Sequence, residues 1–177
     1  MRWLKTRVDD GIADDLRAMR RYARSLARDH QEADDVVQDA LLRAMERQQT
    51  FHQERSRRRW LLAIVHNVFI SGKRRAAAET RRNDRFAETL TAHVEPDQDY
   101  RAQLEQVARI FAGLPEHHRA VLHLVAVEGL SYQEAADILG VSIGTVMSRL
   151  ARARANMRAK QAVKAPVPLR VVGGRDD

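Results

Sequence analysis

The chain has no cysteine, which excludes disulfide frameworks, thiol nucleophiles and zinc–thiolate sites. Aromatic residues are scarce, at 5%. No apolar run approaches the roughly 20 residues of a membrane span, and the N-terminus lacks a signal h-region. A cytoplasmic protein is therefore expected. Valine and isoleucine nowhere alternate with polar residues for long, which argues against sheet structure. No glycine-rich phosphate loop, Ser-His-Asp arrangement or catalytic carboxylate pair is present, so neither an enzyme nor a cofactor is expected. His117, His118 and His123 invite a metal reading, but spacings of five and six residues do not share a helical face. No thiol or carboxylate completes a set, and no metal site is expected.

What is present is Ala, Leu, Arg and Glu, with 44% hydrophobic residues in 177 positions. That is enough for one or two small domains with cores of their own. Net charge is +7 and the sequence pI about 10.5, a balance that attracts phosphate but equally suits an anionic membrane. The fold class expected is all-α.

Residues 1–13 read as a lead-in. From Asp14 the pattern is helical, with Leu16, Met19, Tyr22 or Ala23, Leu26 and Ala27 on one stripe. After a break near "RDHQEAD", the segment "ADDVVQDALLRAMER" places Val37, Leu41, Ala44 and Met45 inward. "QQTFHQERSRRR" has no periodicity and reads as a loop carrying Arg55, Arg57, Arg58 and Arg59. "WLLAIVHNVFISGKRR" resumes as an apolar helix lined by Trp60, Leu61, Ile64, Val65, Val68 and Phe69. Trp60 is expected in the core. Residues 79–100 read as a flexible linker, with Pro96 breaking any helix. A second helical domain spans 101–160, including one helix from Pro115 through "EHHRAVLHLVAVEGL". Residues 161–177, with two prolines and a Gly-Gly pair, read as a disordered tail.

The segment "SYQEAADILGVSIGTVMSRLARARANM" has the form of a helix-turn-helix. Ser131 and Glu134 make a capping box. Gly140 supplies the left-handed turn residue, and Ser142 is placed to cap a second helix. On that helix Val146, Leu150, Ala153 and Met157 form the apolar stripe. The opposite side carries Met147, Ser148, Ala151 and Arg152, flanked by Arg149, Arg154 and Arg158. A recognition helix needs such side chains for base edges and phosphates; an ordinary helical hairpin with a basic face is the plainer reading.

Taken in order and spacing, "EADDVVQDALLRAMER", "WLLAIVHNVFISGKRR" and "LPEHHRAVLHLVAVEGLSYQEAADILGVSIGTVMSRLARAR" resemble bacterial extracytoplasmic-function (ECF, group four) sigma factors of the sigma-70 family. The resemblance covers residues 14–160. It implies two helical domains: sigma region 2 (14–78), which binds the RNA polymerase clamp and opens the minus-ten element, and sigma region 4 (101–160), which binds the minus-thirty-five element and the polymerase flap. Asp35, Gln38 and Asp39, at spacings of three and four, form an acidic and amide patch; the resemblance assigns it to the clamp coiled-coil, while alone it reads as a solvated face. The arginine loop corresponds to the minus-ten specificity loop. Phe51 and Asn67 match positions that hold a flipped base, where a ring stacks and an amide reads an edge; Phe51 also reads as a plug beneath the loop, and Asn67 as a packing amide. Arg55, Arg57, Arg58 and Arg59 suit phosphates. Lys73, Arg74 and Arg75 suit the upstream duplex or the negative end of the helix dipole.

For the minus-thirty-five element, Ser148 and Arg152 are the leading candidates. Met147 stands where many relatives carry a basic residue, and Ala151 offers a methyl contact. Arg149 and Arg154 suit phosphate, and Ser142 and Thr145 supply donors at the helix start. The partners implied are core RNA polymerase, promoter DNA and an anti-sigma factor, with neither membrane insertion nor homo-oligomerisation. Two other classes remain: a free-standing helix-turn-helix regulator, which predicts a dimer and an inverted-repeat operator, and a sigma mimic that captures an anti-sigma factor.

Overall fold

The computed structural model describes residues 10–27, 29–51, 56–80 and 100–162. Among them are seven α-helices and no strand. These are α1 (Asp10–Leu26), α2 (His30–Glu46), α3 (Arg57–Thr80), α4 (Tyr100–Ala112), α5 (Glu116–Leu122), α6 (Tyr132–Leu139) and α7 (Ile143–Ala162). A 3-10 turn, Gln48–Thr50, follows α2, and a π turn, His123–Val127, follows α5.

The first three helices pack on one another, and α4, α5 and α6 gather on α7. α2 begins where Asp29 can cap it, its carboxylate accepting from the Glu32 amide at 2.7 Å. Its buried side chains, Ala33, Val36, Val37, Ala40 and Ala44, recur at helical spacing. The two halves also meet: α1 lies on α5 and the π turn, and α3 lies on α6. Their buried side chains form one continuous cluster from Ala18 to Ala153.

Five expectations need correction. α1 opens at Asp10, a turn before Asp14. Arg57, Arg58 and Arg59 are not in a loop but in the first turn of α3. Ser56 precedes them, and its carbonyl accepts from the Trp60 amide at 3.2 Å. Met45 does not face inward and is 51% exposed. Ala44, one residue and about 100° earlier on the helix, takes the inner position. The helix from Pro115 does not run through to Leu130: it passes into the π turn at His123, and the Glu128 amide reaches back to the His123 carbonyl at 3.0 Å. Gly129, with φ 68°, then reverses the chain. Trp60, expected in the core, is half-buried. Arg55, most of the 79–100 linker and nearly all of the 161–177 tail lie outside the described residues.

Candidate functional site

The capping box at the start of α6 is complete. The Glu134 amide donates to Ser131 Oγ at 3.2 Å, and Glu134 Oε2 accepts from the Ser131 amide at 2.8 Å. These bonds hold the Glu134 carboxyl below its ordinary range. Gly140 ends α6 at φ 62°, its amide bonded to the Ala136 carbonyl. Val146, Leu150 and Ala153 are buried beneath α7, with Met157 half-buried. Ser142 caps α7 through the Thr145 amide at 3.2 Å, and the two hydroxyls share a hydrogen bond of 2.9 Å. A phosphate at this helix start would therefore meet the amides of Ile143 and Gly144 more readily than those engaged groups.

Packing at the turn leaves one face of α7 open. Met147, Ser148, Ala151, Arg152 and Arg154 are exposed, and Arg149 is half-buried. Ser148 donates its hydroxyl to the Thr145 carbonyl at 3.0 Å, which leaves its oxygen lone pairs to accept. Positions 148 and 152 are one turn apart, so hydroxyl and guanidinium stand on the same stripe.

On α2, Asp35, Gln38 and Asp39 are all exposed, opposite the buried stripe. Leu42, 60% exposed, and Met45 continue that face at the same spacing. Sequence reading missed this apolar extension, although Leu42 lies two turns from Asp35 and shares its face. Beside the patch a groove of about 310 Å³ is lined by Asp29, Asp35, Asp39, Phe69 and Lys73, among others.

The positions expected near the minus-ten element fall into separate groups. Phe51 is half-buried, its ring 5.3 Å from that of Trp60 at 49°. Arg57 and Arg58 both donate to Asp15 of α1, at 2.5 and 3.2 Å, and Asp15 is buried. Arg59 pairs with Glu134 of α6. Asn67 is exposed on α3, and Arg74, two turns further on, shares its face. Lys73 points elsewhere: it pairs with Glu116 of α5 and lies 5.5 Å from the Phe69 ring centre. Arg75 is exposed.

Between the halves runs a buried polar chain. Tyr22 shares a 3.1 Å hydrogen bond with His66 Nδ1, and its ring lies 5.3 Å from that of His123. Glu128 accepts from Arg21 at 2.9 Å and lies 3.4 Å from His123 Nε2. Burial pushes both His66 and His123 down to about 4, and Glu128 opposes this at His123. Both rings are neutral at pH 7.

Residues 104–157 match the family model for sigma-70 region 4, and residues 12–66 match that for the sigma2 domain of PhyR. The chain is 35% identical over 157 residues to the ECF RNA polymerase sigma factor EcfG of Rhodopseudomonas palustris (strain TIE-1), covering 86% of each. The chain belongs to the ECF family of RNA polymerase sigma factors. This sigma factor is also 37% identical over 147 residues to SigM of Mycobacterium tuberculosis, covering 80% of its own length and 70% of the relative. Among solved structures, it is similar to the sigma factor RpoE of Bartonella quintana, solved in complex with the anti-sigma factor NepR. The TM-score is 0.71 at 30% identity, over 87% of this chain and 96% of that one. It is likewise similar to CnrH in complex with the cytosolic domain of CnrY, with a TM-score of 0.60 at 29% identity, over 87% and 86%. No helix among the described residues is long and apolar enough to cross a membrane.

Proposed function

We propose that this ECF sigma factor docks on core RNA polymerase and directs it to promoters, contributing recognition and no chemistry of its own. The observation that carries the reading is the pairing, on one chain, of a fully capped helix-turn-helix and a three-helix unit with an exposed acidic face. On the proposed boundaries residues 14–78 take polymerase and the minus-ten element, and residues 101–160 take the minus-thirty-five element. Ser148 and Arg152 of α7 read or hold the minus-thirty-five duplex, with Arg154 and Arg149 on phosphates and Met147 and Ala151 in apolar contact. Asp35, Gln38 and Asp39 meet a basic surface of the polymerase clamp, where complementary charge speeds assembly, and Leu42 and Met45 add apolar contact. Asn67 and Arg74 lie along the opened or upstream minus-ten strand. Phe51 stacks on a base only by giving up part of its contact with Trp60. An anti-sigma factor is a further partner, as the complexes of RpoE and CnrH suggest. The place of action is the cytoplasm, where the polymerase is.

Run-off transcription with core polymerase on the fragment upstream of the protein's own gene tests this. Wild type should give a discrete transcript. Arg152→Ala should weaken it through promoter binding, and Asp35→Ala/Asp39→Ala through polymerase binding. If core polymerase gains no specific initiation on a genomic library while the chain alone shifts duplex DNA as a dimer, the free-standing regulator replaces this reading.

A further inference from the structure

Two of the large apolar side chains that the fold leaves in solvent stand on the recognition helix itself. Ile143 is 41% and Met147 49% exposed. They are one helical turn apart, and exposed Ala151 continues the stripe a turn further on. Packing does not require them, because Val146, Leu150 and Ala153, buried on the adjacent stripe, seat α7 without their help. Large apolar side chains grouped in water, rather than scattered singly, mark a contact surface.

The surroundings say what makes the contact. Arg149, Arg152, Arg154 and Arg158 follow on the same helix, and α7 carries no carboxylate at all. An apolar pair framed by four arginines suits the floor of a groove walled by phosphates. The chemistry of the first two turns then narrows the target. From Ile143 to Ser148 there is no Arg, Lys, Asn or Gln, the side chains that make paired hydrogen bonds to guanine or adenine. Ser148 already donates its hydroxyl to the Thr145 carbonyl at 3.0 Å, so toward a base it can only accept. The Thr145 hydroxyl is shared with Ser142 at 2.9 Å. In the major groove thymine alone presents an apolar methyl group, and its partner adenine presents an amino donor. An A·T pair therefore offers both features that these turns can take. A G·C pair would set the guanine N7 and O6 acceptors against apolar side chains with no proton to give.

We propose that Ile143 and Met147 read thymine methyl groups in the minus-thirty-five element, with Ser148 accepting from the adenine amino group of an A·T pair beside them. This rests on the promoter reading and names what α7 recognises there. The Cβ atoms of residues one turn apart are separated by about 5–6 Å, which is one to two base-pair rises of about 3.4 Å. The two thymines touched therefore lie in neighbouring or next-neighbouring pairs. Removing a methyl group that one of these side chains covers should weaken binding about fourfold, the equivalent of about 0.8 kcal/mol for one buried carbon.

The full-length chain, bound to core polymerase, would select duplexes from a library randomised over the minus-thirty-five region. The enriched duplex is then remade with single thymine-to-deoxyuridine changes, each of which removes one methyl group and nothing else. Wild type should lose about fourfold in affinity at two positions no more than two base pairs apart. Met147→Ala should abolish the loss at one position and Ile143→Ala at the other, while Met147→Leu, still apolar, should keep it. Deoxyuridine that costs nothing anywhere in wild type, or costs the alanine variants as much as wild type, overturns the methyl contact. Alanine variants with wild-type affinity for the enriched duplex overturn it too, and leave the stripe to a protein partner. If no duplex is enriched, the promoter reading falls and the methyl contact with it; enrichment without sensitivity to deoxyuridine removes the methyl contact alone.

Discussion

Mild acid should destabilise the fold through its buried histidines. His66 and His123 are 8% and 5% exposed, and burial pushes each down to about 4. In the unfolded chain each ring takes up a proton near pH 6.5. Between about pH 6.5 and 4 the unfolded state therefore binds more protons, so stability falls as pH falls through that window and is fully present above it. Going from pH 7 to pH 5 costs about 2 kcal/mol per ring by this linkage, and up to about 4 kcal/mol for the two. That is a large share of the 5–15 kcal/mol typical of a folded chain. His117 and His118 are shifted in the same direction and add to the effect. Glu134, held below its ordinary range, gives up its contribution only at lower pH. Urea melts at pH 7 and pH 5 measure the loss. His66→Gln/His123→Gln, less stable at pH 7, should show a pH 7-to-5 loss smaller than that of wild type by several kcal/mol. Equal losses in the two proteins would refute the assignment to these rings.

Leu150→Ala removes a side chain that is 2% exposed beneath α7 and should lower stability by about 2–5 kcal/mol in a denaturant melt; a smaller loss would mean that the turn does not anchor the recognition helix. Gly140→Ala meets no atom within 4 Å but keeps φ at 62°, so it should cost about 1–2 kcal/mol of backbone strain with helix content unchanged by circular dichroism. In promoter binding by the polymerase complex, Arg152→Ala should reduce the slope of log K against log salt by about one if its guanidinium holds a phosphate. An unchanged slope with altered base preference would place it on a base edge instead.

Local signals were the legible ones. Ser131, Glu134 and Gly140 each announce a specific backbone hydrogen bond or dihedral within four residues, and each stands as read. The stripes on α1, α3 and α7 were legible for the same reason, because burial recurs at the helical period. Met45 was misplaced because two adjacent apolar residues, Ala44 and Met45, compete for one inward position. Ser56 as the start of α3 went unread because four arginines around it suggested a loop. The contacts between halves had no local signature at all. Arg119 and Ser25 are 94 residues apart, and Arg21 and Glu128 are 107 apart, and nothing in a run of arginines says which one finds a distant carbonyl. Of the expected DNA-facing residues on α7, Met147, Ser148, Ala151, Arg152 and Arg154 are exposed and Arg149 is half-buried. The minus-ten set does not share one exposed face, since Arg57 and Arg58 are held by Asp15, and Lys73 and Asn67 point different ways.

Glu134 serves two masters with separate atoms. Its Oε2 accepts from the Ser131 amide and lies 3.0 Å from the Ser131 hydroxyl, while its Oε1 faces Arg59 of the other half. Losing Arg59 therefore leaves the start of α6 as well capped as before. The helix-turn-helix is therefore a finished object whatever becomes of Arg59, and the ordering cost that burdens segments which fold on binding does not arise for it.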